Sequence, residues 1–202
     1  MLDNRYTTVY LAFMTSLYVK PAKPPILQPN RFLTALREIN QPRSVIVERA
    51  RAELHALLYV NSFALRPVTL SSGKQSFFYI DCKQTTLTNC GHKNYAEVVY
   101  PLIQAFMPTA VGVAGVELGG CPLASAVSYH SNLYSNVLQA LYIRKAPKAH
   151  GTHTPIEGIT GLHTYANRTR DSRPCVLLED VVTTGASTVR ALESMVLTSS
   201  PP

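Results

Sequence analysis

The chain contains no apolar stretch long enough to cross a membrane. A mostly apolar run at 10–19, Y-L-A-F-M-T-S-L-Y-V, falls well short of the ~20 residues a span requires. No small-residue A-x-A site follows it, so it does not read as the core of a signal peptide. There is no C-x-x-C pair either. Cys82, Cys90, Cys121 and Cys175 match neither a zinc site nor a disulfide framework, and reduced thiols in an intracellular, cytoplasmic protein are the simplest account. The strings G-x-x-x-x-G-K-[ST] and G-x-G-x-x-G are missing, which removes the P-loop and Rossmann readings. No internal repeat or low-complexity tract occurs. Charged residues are sparse, at 15% against 46% hydrophobic, which fits a globular chain and excludes a disordered one.

Acidic residues are the scarcer charge, 12 against 19 Lys and Arg, leaving a formal net charge of +7. That balance favours polyanionic partners, whether nucleic acid, anionic membrane or small phosphates, without choosing among them. A solvated basic surface is the plain alternative. With 202 residues the chain suits one domain with a sizeable core plus an appendage. Residues 1–43 read as an extension outside the fold, poorly ordered or partly helical, with K-P-A-K-P-P at 20–25 a stiff linker. Residues 44–196 form the domain and 197–202 a tail.

Along the domain, Ser44 is a plausible helix cap, and Val47, Ala50, Leu54, Leu57 and Leu58 follow at helical spacing, which predicts a helix over 44–60. Short strands are predicted at 68–70 and 77–82 around the turn S-S-G-K at 71–74. A helix is expected over 94–106, with Pro101 kinking it or marking its start. A buried strand at 109–114 leads into the glycine-rich turn 115–120 and a helix from 122 to 129. A strand at 138–143 precedes a polar loop over 144–158, and a strand at 175–178 precedes a helix at 186–195. Strands alternating with helices predict an α/β fold with a mainly parallel sheet, whose ligands sit outside the carboxyl ends of the strands. The turns at 115–120 and 179–187 and the start of the 144–158 loop all fall on that edge.

Three of these segments carry chemistry. The string V-L-L-E-D-V-V-T-T-G-A-S over 176–187 joins a hydrophobic strand to a helix, so backbone N–H groups and the helix N-terminus converge on one spot suited to a phosphate monoester. Thr183, Thr184 and Ser187 add hydroxyl donors, and Gly185 permits positive φ. Glu179 and Asp180 would repel a phosphate, but suit ribose hydroxyls with a divalent cation nearby. The segment Y-I-R-K-A-P-K-A-H-G-T-H over 142–153 gathers Arg144, Lys145, Lys148 and His150, a cluster able to neutralise a diphosphate or to serve as a basic surface loop. His150 and His153 lack an evident third ligand for zinc. The segment L-S-S-G-K-Q-S-F-F-Y-I-D over 70–81 would be a structural turn by itself. In the glycine turn the one charge, Glu117, would repel a diphosphate, leaving backbone N–H groups as the available contacts.

The string at 176–187 resembles the PRPP-binding motif of type I phosphoribosyltransferases. R-K-x-x-K-x-H-G at 144–151, followed by Glu157 and Gly158, resembles the catalytic loop of orotate phosphoribosyltransferases, and 70–81 resembles their L-x-S-G-x-x-S-x-x-Y segment. The resemblance spans about 47–195. It implies the type I phosphoribosyltransferase fold with a small N-terminal hood, and transfer of ribose 5-phosphate from PRPP to orotate in pyrimidine (UMP) biosynthesis. By carry-over, Lys148, His150 and Asp180 would be catalytic. PRPP would be bound by Arg144, Lys145, Lys148, His150, Glu179, Asp180, Val181, Val182, Thr183, Thr184, Gly185, Ala186 and Ser187, and Thr183 would also meet orotate. Mg²⁺ would arrive mainly on PRPP, with no dedicated protein site. The implied assembly is a homodimer whose 144–158 loop reaches the neighbouring site, with no nucleic-acid or membrane partner.

The pattern is not followed throughout. Some family members carry lysine where this chain has Ser71 and Gly119, and the family continues past the motif helix with another strand bearing an orotate-contacting arginine. The expectation is therefore a C-terminally truncated copy, weakly active or inactive, with strands missing. A PRPP-binding regulator and a transferase for another base are the alternatives.

Overall fold

The computed structural model describes residues 10–12, 44–69, 73, 75–145, 155–158, 174–182 and 185–199. In chain order the elements are β1 (Tyr10–Ala12), α1 (Ser44–Leu57) with a π turn at Leu58–Ser62, β2 (Phe63–Ala64), β3 (Val68–Thr69), β4 (Gln75–Ser76) and β5 (Tyr79–Ile80). Then come α2 (Lys83–Thr86), α3 (Asn89–Phe106), β6 (Gly112–Val116), α4 (Gly120–Ser131), β7 (Gln139–Ile143), β8 (Ile156–Glu157), β9 (Cys175–Glu179) and α5 (Ala186–Ser199). The predicted α/β class holds. One five-stranded sheet runs β1-β9-β6-β7-β8, parallel except for β8.

Side chains alternate across a strand, so a sheet covered on both faces needs apolar residues at every position. All five residues of β6 are buried. One face, with Val113, Val176 and Leu178, packs with Ala50 and Leu54 of α1, Val99, Leu102 and Ile103 of α3, and Leu123 and Val127 of α4. The other face, with Ala114, Leu141, Ile143 and Leu177, meets Ala191, Leu192 and Met195 of α5. These two layers hold the carboxyl ends of β6, β7 and β9 in register, and the site is built there.

The hood is two separate antiparallel pairs, β2 with β5 and β3 with β4. Tyr59 and Phe78 each stack with Phe63, with ring centroids 5.9 and 6.4 Å away. Of the turn at 71–74 only Gly73 is among the described residues, at φ +79°.

Several expectations change. Tyr10–Ala12 is not outside the fold: it pairs in parallel with residues 177–179 and covers the edge of β9. A buried parallel strand left with unpaired N–H and C=O groups is costly, and a short segment of suitable extended residues offsets that wherever it lies in the chain. Helix α3 begins at Asn89 rather than 94, capped by the Thr88 hydroxyl accepting from the Gly91 N–H at 3.0 Å, and Pro101 sits inside it. β6 starts at Gly112 rather than 109, because residues 107–110 close a turn in which the Ala110 N–H donates to the Met107 carbonyl. The polar loop gains the edge strand β8, and α5 runs to Ser199 into the predicted tail.

All four thiols are free. Burial pushes Cys82 and Cys175 up to about 11, with Asp180 adding to the effect at Cys82, and raises Cys121. Cys90 is exposed. Because the thiolate is the reactive form, brief iodoacetamide treatment of the folded chain near pH 7.5 should label Cys90 alone, as read by peptide mass spectrometry. Equal labelling of Cys175 would contradict the packing described.

Candidate active site

The carboxyl edge of the sheet gathers three connections: the glycine turn after β6, Arg144 and Lys145 after β7, and Glu179 and Asp180 leading to α5. Among the described residues this edge holds Arg144, Lys145, Glu179, Asp180, Val181, Val182, Gly185, Ala186 and Ser187 of the predicted contacts. Lys148, His150, Thr183 and Thr184 lie outside the described residues, as do His153 and Ser71.

The two acids part company because consecutive strand residues face opposite ways. The Glu179 carboxylate turns to the first turn of α5, accepting from the Ser187 hydroxyl at 2.7 Å and from the Thr188 hydroxyl. A carboxylate at a helix N-terminus is stabilised by the helix dipole. The hydroxyl that the sequence offers as a phosphate donor at Ser187 is here directed to Glu179. Thr188, at 1% exposure, holds the Glu179 carboxylate from within the core, a contact that sequence reading missed. A polar residue on the helix face that packs inward was the signal available for it.

Asp180 lies against the glycine turn. A Cβ built on Gly119 would meet the Asp180 Cγ and Oδ2 at 2.2 Å, so the absence of a side chain at 119 makes room for this carboxyl. On the opposite side the negative field of Asp180 reaches Cys82, Lys83 and the buried Tyr95. Burial is the larger cause of the raised Tyr95 hydroxyl, and Asp180 adds to it. Lys83 bonds Asp81 at 2.7 Å, which lowers the Asp81 carboxyl and raises the Lys83 ammonium. A cavity of ≈ 20 Å³ between Leu54, Cys82, Thr86, Tyr95, Glu179 and Asp180 is far below the hundreds of Å³ of a small-molecule site. That cavity is therefore not itself a substrate pocket.

The cationic side is already engaged. The Arg144 guanidinium donates to Glu157 at 3.3 Å, and the Arg144 N–H donates to the Pro155 carbonyl at 2.9 Å. With both side chains 35% exposed, such a pair contributes on the order of 1 kcal/mol or less, so an incoming phosphate can compete for the arginine. Glu117 does not face into the turn. Its carboxylate accepts the Lys145 backbone N–H at 2.6 Å. Gly185, at φ +79°, brings the chain into α5 in a conformation that favours glycine. The edge thus offers a helix N-terminus, one carboxylate beside a glycine turn and a basic segment: parts that hold a phosphorylated sugar and neutralise a departing anion.

No family model matches the chain. It is 46% identical over 145 residues to the orotate phosphoribosyltransferase of Sorangium cellulosum (strain So ce56), covering 72% of this chain and 71% of the relative. It is 35% identical over 146 residues to the enzyme of that name from Rhodopseudomonas palustris (strain TIE-1), covering 72% and 74%. Among solved structures it resembles the Mycobacterium tuberculosis H37Rv orotate phosphoribosyltransferase in complex with Fe(III) dicitrate, with a TM-score of 0.56 and 30% identity over 72% of this chain and 75% of that one. It also resembles the same enzyme in complex with 5-phospho-α-D-ribosyl 1-diphosphate, with a TM-score of 0.52 and 27% identity over 72% and 73%.

Proposed function

The chain belongs to the orotate phosphoribosyltransferases, and from that membership we propose that it transfers ribose 5-phosphate from PRPP to orotate. N1 of orotate forms a bond to the anomeric carbon as the bond from that carbon to the diphosphate oxygen breaks. The products are orotidine 5′-monophosphate and diphosphate, a step of UMP synthesis that we place in the cytoplasm. The observation that carries the reading is the split of the two acids at the end of β9. It leaves Asp180 beside the glycine turn, where it stabilises positive charge developing at the anomeric carbon.

The turn 183–187 and the α5 N-terminus bind the 5′-phosphate, with Val181, Val182, Gly185 and Ala186 contributing backbone. Arg144, Lys145, Lys148 and His150 take up the diphosphate, and Lys148 and His150 act on the leaving group. Mg²⁺ fits this site as a companion of the substrate. Among the described residues no group of three metal-ligating side chains forms a cage, while one carboxylate such as Asp180 beside substrate phosphates meets the usual needs of this ion. When bound with the substrate it would supply charge neutralisation on the diphosphate. No helix among the described residues is long and apolar enough to cross a membrane.

The purified chain with orotate, PRPP and Mg²⁺ should form orotidine 5′-monophosphate, measured by chromatography. Absence of product would overturn the proposal. If the enzyme is a homodimer sharing its 144–158 segments, two inactive variants, K148A and D180A, should regain about a quarter of wild-type activity when unfolded together and refolded, because half the dimers then hold one complete site. No recovery on mixing would count against shared sites.

A further inference from the structure

Glu117 is an acid on the carboxyl edge of the sheet, and a carboxylate there opposes phosphates through space. Its contacts indicate what offsets that cost. Glu117 Oε1 accepts the Lys145 backbone N–H at 2.6 Å, and the Glu117 N–H donates to the Ile143 carbonyl at 2.9 Å. On the far side, the Arg144 N–H reaches the Pro155 carbonyl and its guanidinium reaches Glu157. Arg144 and Lys145 are thereby fastened between the glycine turn and β8. Bonds to an ionised acceptor are shorter and stronger than neutral ones, so a carboxylate makes the firmer anchor. Through Gly119 the same turn also touches Asp180, so one short segment sets both the acidic and the cationic halves of the edge.

We infer that Glu117 is a positioning residue for diphosphate. It fixes the backbone of Lys145, and hence the direction from which the Lys145 ammonium meets the diphosphate group, without touching substrate itself. The inference rests on the transfer reading above and names a residue that acts through another.

Wild type, E117A and E117Q are compared by kcat, by KM for each substrate, and by calorimetric titration with inorganic diphosphate and Mg²⁺. Charge and geometry give opposite signs here. If Glu117 acted by charge alone, both variants would bind diphosphate more tightly than wild type, and that result would overturn the inference. Positioning predicts that E117A weakens diphosphate binding and raises KM for PRPP about tenfold, the equivalent of one hydrogen bond to a charged group. KM for orotate stays unchanged. E117Q keeps an oxygen acceptor at the same reach and returns to within about threefold of wild type. A fall in kcat alone, or a rise in orotate KM in step with that of PRPP, would also overturn it.

Amide exchange supplies a reading independent of ligand. The Lys145 N–H should exchange about tenfold faster in E117A while Ile143 keeps its protection, and equal rates at Lys145 would defeat the proposal. Should E117A fail to fold, Glu117→Leu, also without an acceptor, takes its place with the same expectations. Diphosphate binding and amide exchange need no turnover. A chain that made no orotidine 5′-monophosphate would therefore fail the transfer reading and still decide this one.

Discussion

Replacing Gly119 by alanine is expected to lower kcat at least about 100-fold, or some 2.7 kcal/mol of transition-state stabilisation, while the protein still melts within a few degrees of wild type. The added Cβ would stand 2.2 Å from the Asp180 carboxyl. Gly119 has φ −66° and ψ −32°, which any residue adopts, so the effect is steric rather than conformational. What must give way is a side-chain end and not backbone, hence the loss falls on the site rather than on the fold. Displacing a catalytic group by about 1 Å can alone cost that much. A lysine at 119, as some family members carry, would bring the same Cβ, so G119K should be no better than G119A in this chain despite its added charge. Steady-state assays with saturating orotate and PRPP check this, and near-normal turnover by G119A would show that Asp180 does not act from where it lies.

Four residues earlier the same substitution should act on the fold rather than on turnover. A Cβ on Gly115 would lie 2.1 Å from the Gly120 carbonyl oxygen and 2.6 Å from the Cys121 nitrogen. These are backbone atoms of the start of α4, and relief requires β6 and α4 to separate. Both are buried in the main core through Val113, Leu123 and Val127, each at 0% exposure. Forced overpacking of this kind costs about 3 kcal/mol or more, and for a chain of this size that lowers the melting temperature by roughly 6–12 °C. Calorimetric or circular-dichroism melts of G115A measure it directly. A shift under about 2 °C would mean that β6 and α4 are less closely set than described.

The contrast between these two glycines shows where sequence reading reaches its limit. Local pattern suffices for β9 and α5: an apolar run, then a glycine able to take a turn, then a segment with apolar residues at helical spacing point the same way. It was enough to place the glycine turn on the ligand edge. It could not tell whether Glu117 faces a ligand or a backbone N–H, because Lys145 arrives there through the pairing of β7 with β6. Glu179 and Thr188 meet for the same kind of reason, across a turn whose path is not fixed by residue type. The start of α3 is not legible because Gly91, His92 and Lys93 give its first turn little apolar periodicity. β8, two residues long, carries no period of its own and exists only because β7 offers an edge.

The parallel pairing of Tyr10–Ala12 with residues 177–179 also bears on how the protein is made. The two partners lie almost the whole chain apart. A ribosome adding about 5–20 residues per second therefore keeps the earlier strand waiting on the order of ten seconds before its complement emerges. Contacts of such long sequence separation form late and slow the overall rate. During that interval Tyr10–Ala12 has no strand to pair with, and chaperone demand should be set by this first segment rather than by the core helices, whose contacts are far more local.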